Sequence, residues 1–307
     1  MKQLGRWFFG LGDARTAAAL RIGLCGWYLL VLWDFHPAMR LLFGHAGLFG
    51  TLEAFPYKLS GFQYLLYIHN SDTDLNIWFW SSVLVAALGL FGLFSRLSVL
   101  LTFLSMILFR ERGPFITFGA DLVMNCIGFW ILFLNCGRVW SIDSLLRTPA
   151  ASDVGKPIEY WPVKAIQIQV ALVYLVTGIA KLPTQPWQDG SAVYYAIQVG
   201  SVFKGHPPSW IINDHHALLL MTYATLAIEL SIPFLLFYRL TRFWAILAGI
   251  AMHSGIDLFM SIRFFSLAMY VGYLSYIDRS DWERLRSLAI QVRRLLFSAG
   301  GGSTVGR

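Results

Sequence analysis

Five ionisable side chains stand inside stretches of apolar sequence: Arg21, Asp121, Glu229, His253 and Asp257. A charge at the centre of a membrane helix costs roughly 2.5 to 3.5 kcal/mol on insertion scales, so such groups are paired, neutral or useful. Lys181 joins them, because the apolar run that begins after Pro162 is stopped by Pro183, which places the lysine at its end. Amine, carboxylate and imidazole are the side chains that move protons, and together they suggest acid–base chemistry in one polar cavity. Asp257 follows His253 by four residues, so on a helix the two share a face and the carboxylate orients the ring. Each group also has a plainer reading. Arg21, near one membrane boundary, snorkels to the cytoplasmic headgroups, and Lys181 does the same outward. Glu229 is a protonated carboxyl bonding a neighbouring helix, and Asp121 in Phe118-Gly119-Ala120-Asp121 caps a helix.

The elements that position these groups follow from composition. The 307 residues are 57% hydrophobic and only 13% charged, with a mean hydropathy of +0.59. Soluble chains average about 25% charged residues, so this one belongs in a membrane. The same numbers exclude a disordered chain or a basic nucleic-acid binder, and no nucleic-acid partner is expected. The expected fold is all-α, a polytopic transmembrane bundle of about eight spans. The spans run over residues 16–33, 77–94, 97–109, 116–136, 163–182, 217–238, 243–260 and 264–277, the third and eighth being short. If every segment crosses from a cytoplasmic N-terminus, the inner loops hold sixteen of the 24 Lys and Arg and the outer loops seven. That bias obeys the positive-inside rule and puts both termini in the cytoplasm, with the bacterial inner membrane as the expected location. Residues 1–15 are then a cytoplasmic N-terminus, 16–277 the membrane domain and 278–307 a cytoplasmic tail with a disordered glycine-rich end.

The N-terminal apolar run contains Arg21 and lacks a small-residue cleavage site, so it reads as an anchor rather than a signal peptide. Two long outer loops are expected, 34–76 and 183–216. In the second, Asp189 caps a short helix through residues 191–197. Cys25, Cys126 and Cys136 fit neither a disulfide framework nor a zinc site and read as buried thiols. His215 and His216 are adjacent, which makes a poor chelate on a helix, and no metal is expected. No phosphate loop, dinucleotide fingerprint, nucleophile elbow or HExxH helix is present.

At the fifth segment the residues resemble a known family. Tyr174, Gly178, Lys181 and Leu182, followed by Trp187 and Gly190, form a YxxxGxxKL…WxxG pattern similar to that of the HTTM family, bacterial relatives of vitamin K-dependent gamma-glutamyl carboxylase. Arg138-Val-Trp140-Ser141-Ile-Asp143 resembles the family's WSxD loop. The stretch from Thr222-Tyr223 to Glu229 and Pro233 resembles its sixth helix, and His253 with Phe265-Ser266 its H…FS element. The resemblance spans roughly residues 15–277. It implies chemistry at the outer membrane face on a secreted peptide or small substrate, with reduced vitamin K or another quinone as cofactor. Lys181 matches the catalytic base, and His253 is the second catalytic candidate. Asp257, Glu229, Asp121, Tyr174, Trp187 and Tyr223 are the substrate-binding or orienting candidates. Where the animal carboxylases carry a histidine, this chain has Gly119-Ala120-Asp121, and only about 30 residues follow the last span, so the expectation is a diverged quinone-dependent activity. The alternatives are an accessory factor for peptide maturation or export that works with a membrane partner protein, and a proton-coupled transporter through Glu229, His253 and Asp257. Against the transporter stands the absence of an internal repeat.

Overall fold

The computed structural model describes residues 5, 7–50, 71–113, 116, 118–147, 157–199, 208, 211, 213–260, 262 and 264–298. The chain is predominantly helical. Its main helices are α1 (Ala14–Phe35), α2 (Asp72–Phe91), α3 (Ser95–Arg112), α4 (Gly119–Ile131), α5 (Trp161–Lys181), α6 (His215–Leu235), α7 (Arg239–Phe259), α8 (Phe265–Tyr273) and α9 (Arg279–Ser298). Each apolar segment read from the sequence coincides with one of α1 to α8. Ala14–Phe43, Asp72–Phe91, Trp161–Lys181 and His215–Leu235 are long and apolar enough to cross a membrane, and α4 is a shorter apolar helix.

α1 is the central element. Leu20, Leu24, Cys25, Trp27 and Tyr28 are buried, and the helix packs against α2, α4 and α8. α2 lies along α3, and α5 lies along α6. The N-terminal segment is fixed by a two-stranded antiparallel ribbon of β1 (Leu11–Asp13) and β2 (Pro157–Glu159), in which Gly12 faces Ile158. This ribbon, the starts of α1, α5 and α9 and the α2–α3 turn mark the terminal end of the bundle.

Several boundaries differ from the sequence reading for local reasons. α4 stops at Ile131 rather than Cys136, because the following loop turns the Cys136 and Trp140 carbonyls onto the Arg21 guanidinium. α3 begins at Ser95, where the Asp143 carboxylate accepts the backbone N–H groups of Phe94 and Ser95 at 2.8 and 2.7 Å and so caps the helix. α8 continues as a tight turn over Leu274–Tyr276. In the expected tail, α9 occupies residues 279–298, while the expected disordered end lies outside the described residues. Residues 51–70 of the first expected loop also lie outside them.

Two assignments are corrected. Arg21 does not snorkel: it is fully buried and donates to four backbone carbonyls, those of Gly89, Leu90, Cys136 and Trp140. The ends of two chain segments converge there and aim their carbonyl dipoles at one cation, which offsets its loss of water. Cys126 is exposed on the outer face of α4, whereas Cys25 and Cys136 are buried. Its i+3 and i+4 neighbours Phe129 and Trp130 are exposed and half-buried, which marks that face as outward.

Candidate functional site

Gly178 decides how close α5 and α6 come. A Cβ there would lie 2.9 Å from a Leu230 side-chain carbon and 3.5 Å from the Glu229 Cβ, so the bare glycine lets the helices meet. Helical side chains lean toward their own N-termini, and the two helices run antiparallel. Lys181 at the end of α5 therefore reaches back along the bundle, while Glu229 reaches up to meet it. The Lys181 Nζ donates to Glu229 Oε2 at 2.5 Å. The pair stands about 20 Å of helical rise beyond His215, and the side chains are 25% and 11% exposed. Lys181 thus does not snorkel out of the bundle. Trp187 stands beside it, its ring centre 5.2 Å from Nζ.

The chain after Lys181 folds back over α6. Two short helices, Gln185–Gln188 and Ala192–Gln198, are joined through Gly190, whose φ of +79° and contact with Leu219 leave no room for a side chain. The expected short helix is present, but Asp189 does not cap it: its carboxylate accepts from the backbone and hydroxyl of Ser191 at 2.9 and 2.5 Å in the turn before, and Ser191 stands at the N-cap without a side-chain cap bond. Tyr223 on α6 donates to the Gln188 carbonyl at 2.8 Å, pinning this cover in place. Between the cover, α6 and α7 lies an apolar cavity of about 270 Å³, lined by Val193, Ile197, Met221, Thr225, Met252 and Ile256 among others.

A second cluster sits two turns below Lys181 on α5. The Tyr174 hydroxyl is bonded to His253 Nε2 at 2.5 Å and to the Tyr273 hydroxyl, and all three residues are buried. The Ser266 hydroxyl donates to the His253 carbonyl at 3.1 Å, tying α8 to α7. His253 Nδ1 is buried without a hydrogen-bond partner, so Asp257 does not orient the ring as expected. Asp257 is half-buried one turn away, and the buried imidazole takes its contact from α5 instead. Asp121 is also apart. Its carboxylate accepts the Phe118 backbone N–H at 2.7 Å and caps the start of α4.

The single cavity expected from the sequence is therefore two clusters joined by α5. Lys181, Glu229 and Trp187 form one, with Tyr223 holding its cover, and Tyr174 and His253 form the other. The sequence reading missed Tyr273. Its signal was the three-residue spacing of Tyr270, Tyr273 and Tyr276, hydroxyl-bearing rings on one side of an apolar segment.

The molecule is an α-helical protein whose described residues include four helices long and apolar enough to cross a membrane, with a lysine–carboxylate pair held between two of them. A family model described as HTTM domain matches residues 37–282, and the chain belongs to that family. It is also 30% identical over 133 residues to the "Uncharacterized protein YitO" of Bacillus subtilis (strain 168), covering 41% of this chain and 43% of that protein. The alignment thus takes in under half of that relative. No solved structure matches.

Proposed function

We propose that this chain is a multi-pass membrane enzyme of the carboxylase-like class, crossing the membrane eight times with both termini in the cytoplasm. Lys181 serves as the base toward a peptide or small substrate at the outer face, with a reduced quinone as cofactor. The observation that carries the reading is the half-buried Lys181–Glu229 pair at 2.5 Å. A base works only where it is held in reach of its substrate, and this pair fixes the lysine amine between two helices beneath the cover. Glu229 anchors the Lys181 amine from α6, and the Trp187 ring stands against it from the cover.

The residues present suit a quinone. The cavity walls of Val193, Ile197, Met221, Met252 and Ile256 are apolar, and the cavity borders the helix that carries Glu229. When bound, a reduced quinone supplies the two electrons that activate dioxygen. The His253–Tyr174–Tyr273 chain holds α5, α7 and α8 in register around this region and is a positioning network.

The test uses purified protein in lipid discs with reduced vitamin K, oxygen, bicarbonate and a short glutamate peptide. Epoxide is expected from the wild type and not from Lys181→Ala, with Glu229→Gln reduced by about 10²-fold or more. Equal turnover in all three would remove Lys181 from the chemistry. No epoxide from folded wild type would favour the accessory role.

A further inference from the structure

A second cavity, of about 490 Å³, lies at the terminal end of the bundle, far along α5 from Lys181. Its walls come from the β-ribbon, the start of α5, the start of α7 and the start of α9. Lys164, Arg239 and Arg279 line it, together with Trp7 and Tyr160. Two carboxylates are also present, and both are engaged. Asp13 is bonded to Arg15 at 2.7 Å, and Asp278 to Arg242 at 3.2 Å. Lys164 donates to Gln167 Oε1 at 3.1 Å and stands 4.7 Å from the Trp7 ring centre, while Arg239 donates to the Ser280 hydroxyl at 2.8 Å. Among the described residues no carboxylate lies within ion-pair distance of Lys164, Arg239 or Arg279. Three cations against two carboxylates that are each bonded to another arginine leave the cavity positive, the setting of an anion site.

We infer that this cavity binds the phosphate of an anionic phospholipid headgroup. The shared chemistry is a phosphate ester, and the surroundings favour the lipid as its source. The cavity opens where apolar helices end, and α9 leads away from it as an amphipathic helix. Leu285, Leu288 and Val292 are exposed on one side, Arg286 and Arg294 on the other, and Arg284 at the edge between them. Trp282 and Glu283 hold its first turn to the bundle through Thr16 and Arg15. Such a helix lies in the plane of a headgroup layer, so the cavity is presented to lipid phosphate rather than to bulk water.

The experiment is native mass spectrometry of the full chain released from discs of mixed phosphatidylglycerol and phosphatidylcholine. The wild type should retain phosphatidylglycerol in preference to phosphatidylcholine. The Arg239→Gln/Arg279→Gln double variant should lose roughly 20- to 30-fold of that preference, from about 1 kcal/mol per surface cation. Arg284→Gln/Arg286→Gln, outside the cavity, should keep most of it. An unchanged preference in the cavity double variant, at matched thermal stability, would overturn the site. So would an equal loss in the α9 variant, which would mark general surface charge. Competition by millimolar glycerol 3-phosphate as effective as by lipid would make a free phosphate ester the ligand and overturn the lipid assignment.

Discussion

Arg21 illustrates how a single side chain organises its surroundings. Four carbonyls converge on one guanidinium, and glutamine at that position reaches two of them at most. Arg21→Gln should lower stability by about 3 kcal/mol or more, since each orphaned buried carbonyl costs roughly 1–3 kcal/mol. Unfolding in mixed micelles of rising denaturing-detergent fraction measures it. Tyr174→Phe leaves His253 without its Nε2 partner and should cost about 1–3 kcal/mol. A double-mutant cycle with Tyr273→Phe should show coupling between the two hydroxyls, and additivity would separate them. At this scale the sequence announced which residues were expensive but not how the expense was met. Arg21 was misread because its partners are main-chain groups from two distant segments, and carbonyls have no signature in a sequence. Lys181 and Glu229 were both recognised as candidates, yet their pairing depends on the closeness of two helices.

That closeness belongs to the elements. Gly178→Ala should be tolerated, because the nearest atom is the mobile end of Leu230. Gly178→Leu should push α5 from α6, cost about 1–3 kcal/mol by overpacking and part Lys181 from Glu229. The expected reading is loss of every Lys181-dependent signal at a modest loss of stability, and retention of that signal would dismiss the glycine contact. Hydropathy alone located the eight apolar segments, since a helix facing lipid must be apolar along its length. The ends were less legible. Asp143 in the Trp140-Ser141-Ile-Asp143 stretch caps α3 from 48 residues away, so the start of that helix was not written in its own sequence. The family motifs were visible as residues, but the structure divides them by task. Gly178 and Gly190 shape the chain, Asp143 caps, and Lys181 and Trp187 stand in the candidate site.

Charge at the terminal end bears on the whole molecule. Burial pushes the carboxyls of Asp13, Asp143 and Asp278 upward, but hydrogen bonds and nearby cations outweigh it and hold all three below the ordinary carboxylate value. The partners are Arg15 for Asp13, Ser95 and Phe94 for Asp143, and Ser280, Asp281 and Arg242 for Asp278. A lowered folded value means stability that is complete above the unfolded value near 4 and is lost as pH falls through the folded values. The bundle should therefore keep its melting temperature from about pH 7 to pH 5 and lose it below about pH 4. Asp13→Asn should flatten that fall, and an unchanged acid limb would show that Asp13 contributes nothing to it. The β-ribbon carries a different kind of consequence, one of timing. β1 cannot pair until β2 has been synthesised, and Thr16 and Arg15 wait for Ile277 and Glu283, near the far end of the chain. The start of α1 is thus secured late, long after its middle has packed on α2 and Arg21 has met the carbonyls of residues 89–90 and 136–140. A ribosome stalled before residue 157 would hold a nascent chain whose beginning is still open to exchange, for instance with the same segment supplied as a separate peptide.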